Sequence, residues 1–204
     1  MSSTTRTSHN LTQRERIAQL ISLVFHPFIV APFALVLVTK LDGSSWVSAL
    51  AWSAVCAMLV ILPALLYMAY NLARKQYTDA DISVREDRYG IYAFGTACMA
   101  LCLAALFWLE APKSLLKLLS GAFATIVVFA LMTRFWTKVS VHVGLLSAAT
   151  MAVAFQSLPL GALLGAITLL VGWSRWVLNR HSLAEMVAGW ATSSLIIGLT
   201  LAFA

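Results

Sequence analysis

Charge is scarce in this chain. Only 11% of its 204 residues are Asp, Glu, Lys or Arg, against roughly 25% in a soluble globular domain, which excludes the water-soluble class. Strict alternation of apolar and polar residues is missing too, and with it the outer-membrane barrel. Cysteine is limited to Cys56, Cys98 and Cys102, all inside apolar stretches. Cys98 and Cys102 share a helix face at i,i+4, but no His or Cys neighbour completes a metal set, and all three read as buried packing residues. There is no internal repeat or low-complexity tract, and no secretory cleavage pattern follows the first apolar stretch.

What the chain has in quantity is apolar residues. They make up 61% of it, in runs of about 20, the length that crosses a bilayer as a helix. Without water in the bilayer core, a backbone must satisfy its own hydrogen bonds. The expected fold class is therefore all-α, a polytopic transmembrane helical bundle of six or seven spans. Seven segments can be drawn, at about 17–39, 46–70, 90–109, 114–133, 141–157, 160–178 and 183–204, the fifth being short. Residues 1–16 form a polar N-terminal tail and 17–204 a single transmembrane domain. Pro27, Pro32 and Pro63 fall within segments and are expected to kink helices. Trp46, Trp108, Trp136 and Trp173 lie near segment ends, as an aromatic belt requires.

Three polar islands interrupt this pattern: Asn71 to Arg88, Arg134 to His142, and Ser174 to Glu185. Two segments separate the first island from the second, and two more separate the second from the third. An even number of crossings returns the chain to the side it left, so the three islands are expected to meet at one face. Charge at a membrane edge is costly and marks a functional site by default.

The third island reads "SRWVLNRHSLAE". If Arg180 or Ser182 begins the last helix, His181 sits in its first turn and Glu185 one turn further on the same face. The carboxylate can then accept the proton of one imidazole nitrogen and leave the other as a lone-pair nucleophile. Free backbone N–H groups at the helix start suit an anion, and Arg175 can fork two phosphate oxygens. The same spacing also describes a structural ion-pair cluster at the interface.

The second island ends in "KVSVH", where the hydroxyl of Ser140 and exposed backbone N–H groups can contact phosphate. His142 supplies a second histidine, a candidate proton donor. His9 in the tail and His26 beside Pro27 lack such company and read as non-catalytic. In the first island, Arg85 and Arg88 share a helix face at i,i+3 and form a second cationic clamp. Asp79 and Asp81 offer an alternative, magnesium held against a diphosphate as in membrane prenyltransferases. Those enzymes carry two separate Asp-rich loops and this chain has one. Salt bridging of Asp79, Asp81, Glu86 and Asp87 to the neighbouring arginines is the simpler expectation.

Taken in order, an arginine-bearing island, Ser-x-His and Ser-Arg-x5-His-x3-acid resemble the type-2 phosphatidic acid phosphatase and haloperoxidase superfamily, in its membrane lipid phosphatase branch. The likeness covers Asp79 to Glu185, about half the chain. The third motif is present as Ser174, Arg175, His181 and Glu185, with Glu where the family usually has Asp. The second, Pro-Ser-Gly-His in the family, is here Val139, Ser140, Val141 and His142. In the first, Lys-x6-Arg-Pro, Arg88 matches the arginine, Tyr89 replaces the proline, and Asp81 stands where the lysine should be; Arg85 is the candidate for the missing positive charge. The resemblance implies a mechanism with no metal and no cofactor. His181, oriented by Glu185, attacks phosphorus and becomes a phosphohistidine. His142 protonates the departing oxygen and then activates water, while Arg85, Arg88, Ser140, Ser174 and Arg175 bind the phosphate.

The expected function is an integral-membrane phosphatase acting on a lipid phosphomonoester or a (poly)prenyl phosphate or diphosphate. A phosphotransferase or prenyl-diphosphate-processing enzyme on the same scaffold, or a non-enzymatic lipid-binding or transport protein, are the alternatives. The expected partners are the lipid phosphate and the bilayer, with no nucleic acid; the oligomeric state is left open. With seven spans the tail and the islands share a side. Of the 14 Lys and Arg residues, only Lys40, Lys113 and Lys117 fall on the other, so the positive-inside rule puts the site on the cytoplasmic side.

Overall fold

The computed structural model describes residues 11–79 and 81–203; Arg6, His9 and most of the polar tail lie outside them. The described chain is helical, without a strand. Its α-helices are α1 (Gln13–Val24), α2 (Pro27–Leu41), α3 (Trp46–Cys56), α4 (Leu62–Ala73), α5 (Arg88–Trp108), α6 (Lys113–Phe135), α7 (Val141–Ala154), α8 (Leu158–Val177) and α9 (Leu183–Phe203). A π-helical turn, Ala57–Ile61, joins α3 to α4, so that Trp46–Ala73 runs on for 28 residues.

Local chemistry explains where the helices start and bend. Thr12 and Glu15 form a capping box, so α1 begins inside the stretch read as polar tail, four residues before the apolar segment. α1 and α2 meet at 48°. Pro27 is the first residue of α2 rather than an interior one, a position where its missing N–H costs no hydrogen bond. His26 caps that helix by accepting the Phe28 N–H on Nδ1 at 3.3 Å. Pro63 follows the π turn by two residues, and the extra residue in that turn absorbs the break a proline makes in the α ladder.

Five helices are long and apolar enough to cross a membrane, or six spans if the bent α1–α2 pair counts as one. α7, with 14 residues, is about 21 Å long at ~1.5 Å per residue, short of the ~30 Å hydrocarbon core. Large apolar side chains such as Phe107 (78% exposed), Trp108 (83%) and Phe203 (84%) face outward. An outer surface of this kind is compatible with a helical bundle solvated by lipid. Cys56, Cys98 and Cys102 are buried and unpaired.

α7 is the central element, packed against α2, α8 and α9, while α6 packs against α5 and α9. Two glycines set how closely these helices approach. A Cβ on Gly144 of α7 would lie 2.5 Å from the Phe129 ring, and one on Gly189 of α9 would lie 2.9 Å from the Ser140 carbonyl oxygen. α9 therefore lies directly against the backbone of the second island.

Candidate functional site

The third island is shaped by two helix ends. α8 closes with a Schellman motif: Arg180 N–H donates to Arg175 O and Asn179 N–H to Trp176 O, both at 3.0 Å. Asn179 takes the left-handed conformation this requires, with φ 52°, which asparagine tolerates better than most residues. α9 then opens with a capping box. Ser182 N–H donates to Glu185 Oε2 at 3.1 Å and Glu185 N–H to Ser182 Oγ at 3.3 Å. The intervening turn is short enough to hold Arg175 and His181 at the same end.

His181 lies just before α9 rather than within it, yet the expected pair forms. Its Nδ1 is 2.9 Å from Glu185 Oε2, and its side chain is 1% exposed. A carboxylate can only accept, so Nδ1 carries the proton and the other ring nitrogen keeps its lone pair. Burial, reinforced by Arg88, Arg175, Lys138 and Arg180, pushes the His181 pKa down to about 2. The imidazole is neutral at physiological pH.

His181 lines a cavity of about 220 Å³ together with His142, Arg88 and Arg175. Arg88 is held by the carbonyls of Ile82 and Val139, both at 2.8 Å, which ties the first island to the second. Arg175 is fully buried; its Nη1 donates to Ser22 Oγ at 2.7 Å and its Nη2 lies 3.1 Å from Asp81 Oδ1. Ser140 N–H donates to the Glu185 carbonyl at 3.3 Å, tying the second island to the third. The three islands thus converge at one end of the bundle. One side of the cavity is apolar, with Val60, Ala64, Met68, Ile91 and Ile126.

Among the described residues, Ser140 Oγ, His142 Nε2 and Arg175 Nε are buried with no hydrogen-bond partner. An unsatisfied buried polar group costs about 1–3 kcal/mol, and folded proteins keep few of them. A ligand with several acceptor oxygens would relieve that cost at His142 and Arg175, which line the cavity. Among the described residues no group of His, Cys, Asp and Glu side chains gathers to hold a metal ion.

Two of the expected phosphate ligands are elsewhere. Arg85 precedes α5 and does not share a helix face with Arg88. It donates through Nε to Thr133 O and through Nη2 to Arg134 O, closing the C-terminus of α6, where a cation meets unsatisfied carbonyls and the negative end of the helix dipole. Ser174 is also turned away, its Oγ donating to Val171 O at 2.8 Å. Neighbours in a helix point about 100° apart, and here Arg175 lines the cavity while Ser174 does not.

The acidic residues divide as well. Asp79 and Asp81 pair with Arg175 and Arg180 of the third island rather than with neighbouring arginines. Glu86 and Asp87 form no ion pair among the described residues.

Sequence reasoning set His26 aside, yet its ring lies edge-on to His142 with centroids 5.1 Å apart, and it lines the cavity. Asp81 and Ser22, through their contacts with Arg175, were missed too. The following Pro27, marking a helix start, was the available signal that His26 sits at the polar end. No family model matches this chain, and no curated protein or solved structure is significantly similar to it.

Proposed function

We propose that this chain is an integral-membrane phosphatase that hydrolyses a phosphomonoester or diphosphate carried on an apolar lipid or prenyl chain. The observation that carries the reading is His181: neutral, buried, oriented by Glu185, and facing a cavity with two arginines and a second histidine. The free nitrogen attacks phosphorus as the bond to the leaving oxygen breaks. His142 relays to that oxygen a proton drawn from solvent. Water then attacks the phosphohistidine, passes a proton to His142, and the N–P bond breaks to release phosphate. Arg88 and Arg175 compensate charge on the equatorial oxygens throughout. The apolar wall beside them suits a lipid tail.

The polar end is cytoplasmic in this reading, because the cations cluster there. The chain makes seven passes, the bent α1–α2 pair first and the short α7 fifth. A cysteine in place of the exposed Glu86, in a variant lacking the native thiols, resists an impermeant maleimide in intact cells and reacts after lysis; labelling in intact cells reverses the orientation.

The deciding assay is phosphate release by the purified protein from phosphatidate, phosphatidylglycerophosphate and polyprenyl phosphates. Release that survives EDTA and is inhibited by vanadate supports the reading. Strict dependence on magnesium revives a metal role for Asp79 and Asp81. Binding without release across the panel favours a lipid carrier, and transfer to an added alcohol favours a phosphotransferase.

A further inference from the structure

Asp81 stands where a phosphate-binding cation was expected, and it engages the arginine best placed to hold phosphate. Its Oδ1 is 3.1 Å from Arg175 Nη2 and its Oδ2 3.2 Å from Arg180 Nε. The segment is held there from several sides. Asp81 N–H donates to Asp79 Oδ1 at 2.8 Å, Ile82 O accepts from Arg88 at 2.8 Å, and Ser83 O accepts from Lys138 at 3.2 Å. Ile82, next in the chain, has φ 48°, an outlier for a β-branched residue. Strain of this kind persists only where surrounding contacts enforce it, and it clusters at functional sites.

The cavity lies in a bundle whose outer surface faces lipid, and most membrane phospholipids are phosphodiesters with a single negative charge. We propose, on the reading that the cavity takes phosphate, that Asp81 is a specificity-determining residue: a tethered competitor for Arg175 that refuses monoanionic phosphodiesters and yields to dianionic phosphomonoesters and diphosphates. A phosphodiester offers Arg175 no more charge than Asp81 already does, and Asp81 has the advantage of being tethered beside it. Like-charge repulsion from the carboxylate counts against the diester as well. A phosphomonoester brings a second charge and a third terminal oxygen to Arg175 and Arg88, which is enough to displace the carboxylate.

The test is calorimetric binding of methyl phosphate and dimethyl phosphate to the purified full chain at pH 8, where the first is a dianion and the second a monoanion. The wild type binds methyl phosphate at least about tenfold more tightly than dimethyl phosphate. Asp81→Asn or Asp81→Ser narrows that preference by about tenfold or more, chiefly by tightening dimethyl phosphate. An unchanged preference in both variants, or weaker binding of both ligands, overturns the proposal. Arg180→Gln loosens the same segment but leaves Asp81 on Arg175, and it keeps the wild-type preference. If it narrows the preference as much as Asp81→Asn, segment order and not the carboxylate is responsible, and the proposal falls. If the wild type binds neither ligand, or Arg175→Ala binds methyl phosphate as the wild type does, the phosphate reading of the cavity itself fails.

Discussion

The two ends of the bundle are built from different ranges of the chain. At the end where α2 turns into α3, polar side chains bond locally: Lys40 Nζ donates to Ser44 O, and Ser45 Oγ accepts the Ser48 N–H, both at 3.1 Å. Apolar contacts do the remaining work there, with Val38, Leu118, Ala152 and Ile197 buried in one cluster. At the opposite end, local bonds such as His181–Glu185 are joined by side-chain hydrogen bonds that reach across 42 to 153 positions. One end reverses the chain; the other assembles a cavity from segments distant in sequence. Long-range polar bonding at a membrane edge is hard to explain as chain reversal alone, because each buried donor needs an acceptor brought from a distant segment.

The largest expected effect tests whether the long-range end is catalytic. His181→Ala removes the attacking nitrogen, and phosphate release falls by several orders of magnitude, while circular dichroism remains that of a folded helical protein. Near-wild-type release by this variant ends the phosphohistidine mechanism.

Next come two arginines at that same end. Arg175→Ala takes away a buried cation aimed at the cavity and lowers kcat/KM by roughly 10²–10³. Arg85→Ala removes a helix-terminal contact and costs about 0.3–1 kcal/mol of stability, with kcat/KM within a few-fold of wild type. Equal losses in kcat/KM from the two variants would mean that Arg85 reaches the substrate after all.

Gly189→Ala tests the close approach of α9 to Ser140. The added methyl meets a backbone carbonyl at 2.9 Å, so the second and third islands are forced apart, at a cost of about 1–3 kcal/mol. Thermal melting and turnover both drop, whereas adding a methyl at Gly43, which has nothing within 4 Å, perturbs melting through its positive φ and leaves turnover alone.

pH separates the two ends by titration. The pKa of His181 is about 2 in the folded protein, against roughly 6.5 in an unfolded chain. Between those values the unfolded imidazole binds a proton that the folded one does not. The stabilisation from this group is complete above about pH 6.5 and is lost progressively as pH falls below it. Melting temperature therefore decreases between pH 7.5 and 5.5, and His181→Asn flattens part of that slope. An identical slope in the variant would show that His181 is not kept neutral by the fold.

The smallest effect lies at the other end. Ser45→Ala removes an N-cap, costs about 0.5–2 kcal/mol, and leaves phosphate release unchanged.

Much of this was legible in the sequence because it is local. Helix placement followed from apolar runs of bilayer length; six of the seven drawn segments are helical to within a few residues, and the first is two helices broken at Phe25 and His26. The His181–Glu185 pair followed from i,i+4 spacing, and it forms even though His181 lies just outside the helix, because the Ser182–Glu185 capping box draws the carboxylate back over the turn. Where spacing failed, it failed for stated reasons. Arg85 was grouped with Arg88 by an i,i+3 count, but α5 begins only at Arg88. Ser174 was grouped with Arg175 through the motif of the family resemblance, but its hydroxyl is turned back onto the Val171 carbonyl of its own helix.

By itself, then, the sequence determined the all-helical class, the apolar surface, the three polar islands and the histidine–glutamate pair. Each of these depends on composition or on contacts within a turn or two of helix. Only the tertiary structure decided that Asp81 lies on Arg175, that Ser22 reaches the same arginine from 153 residues away, and that His26 lies against His142. Those contacts depend on how α1, α2, α7 and α8 cross, and close approach is set at residues such as Gly161 of α8, where a Cβ would lie 2.5 Å from the Ala154 Cβ of α7 and a missing side chain carries no periodic pattern to read.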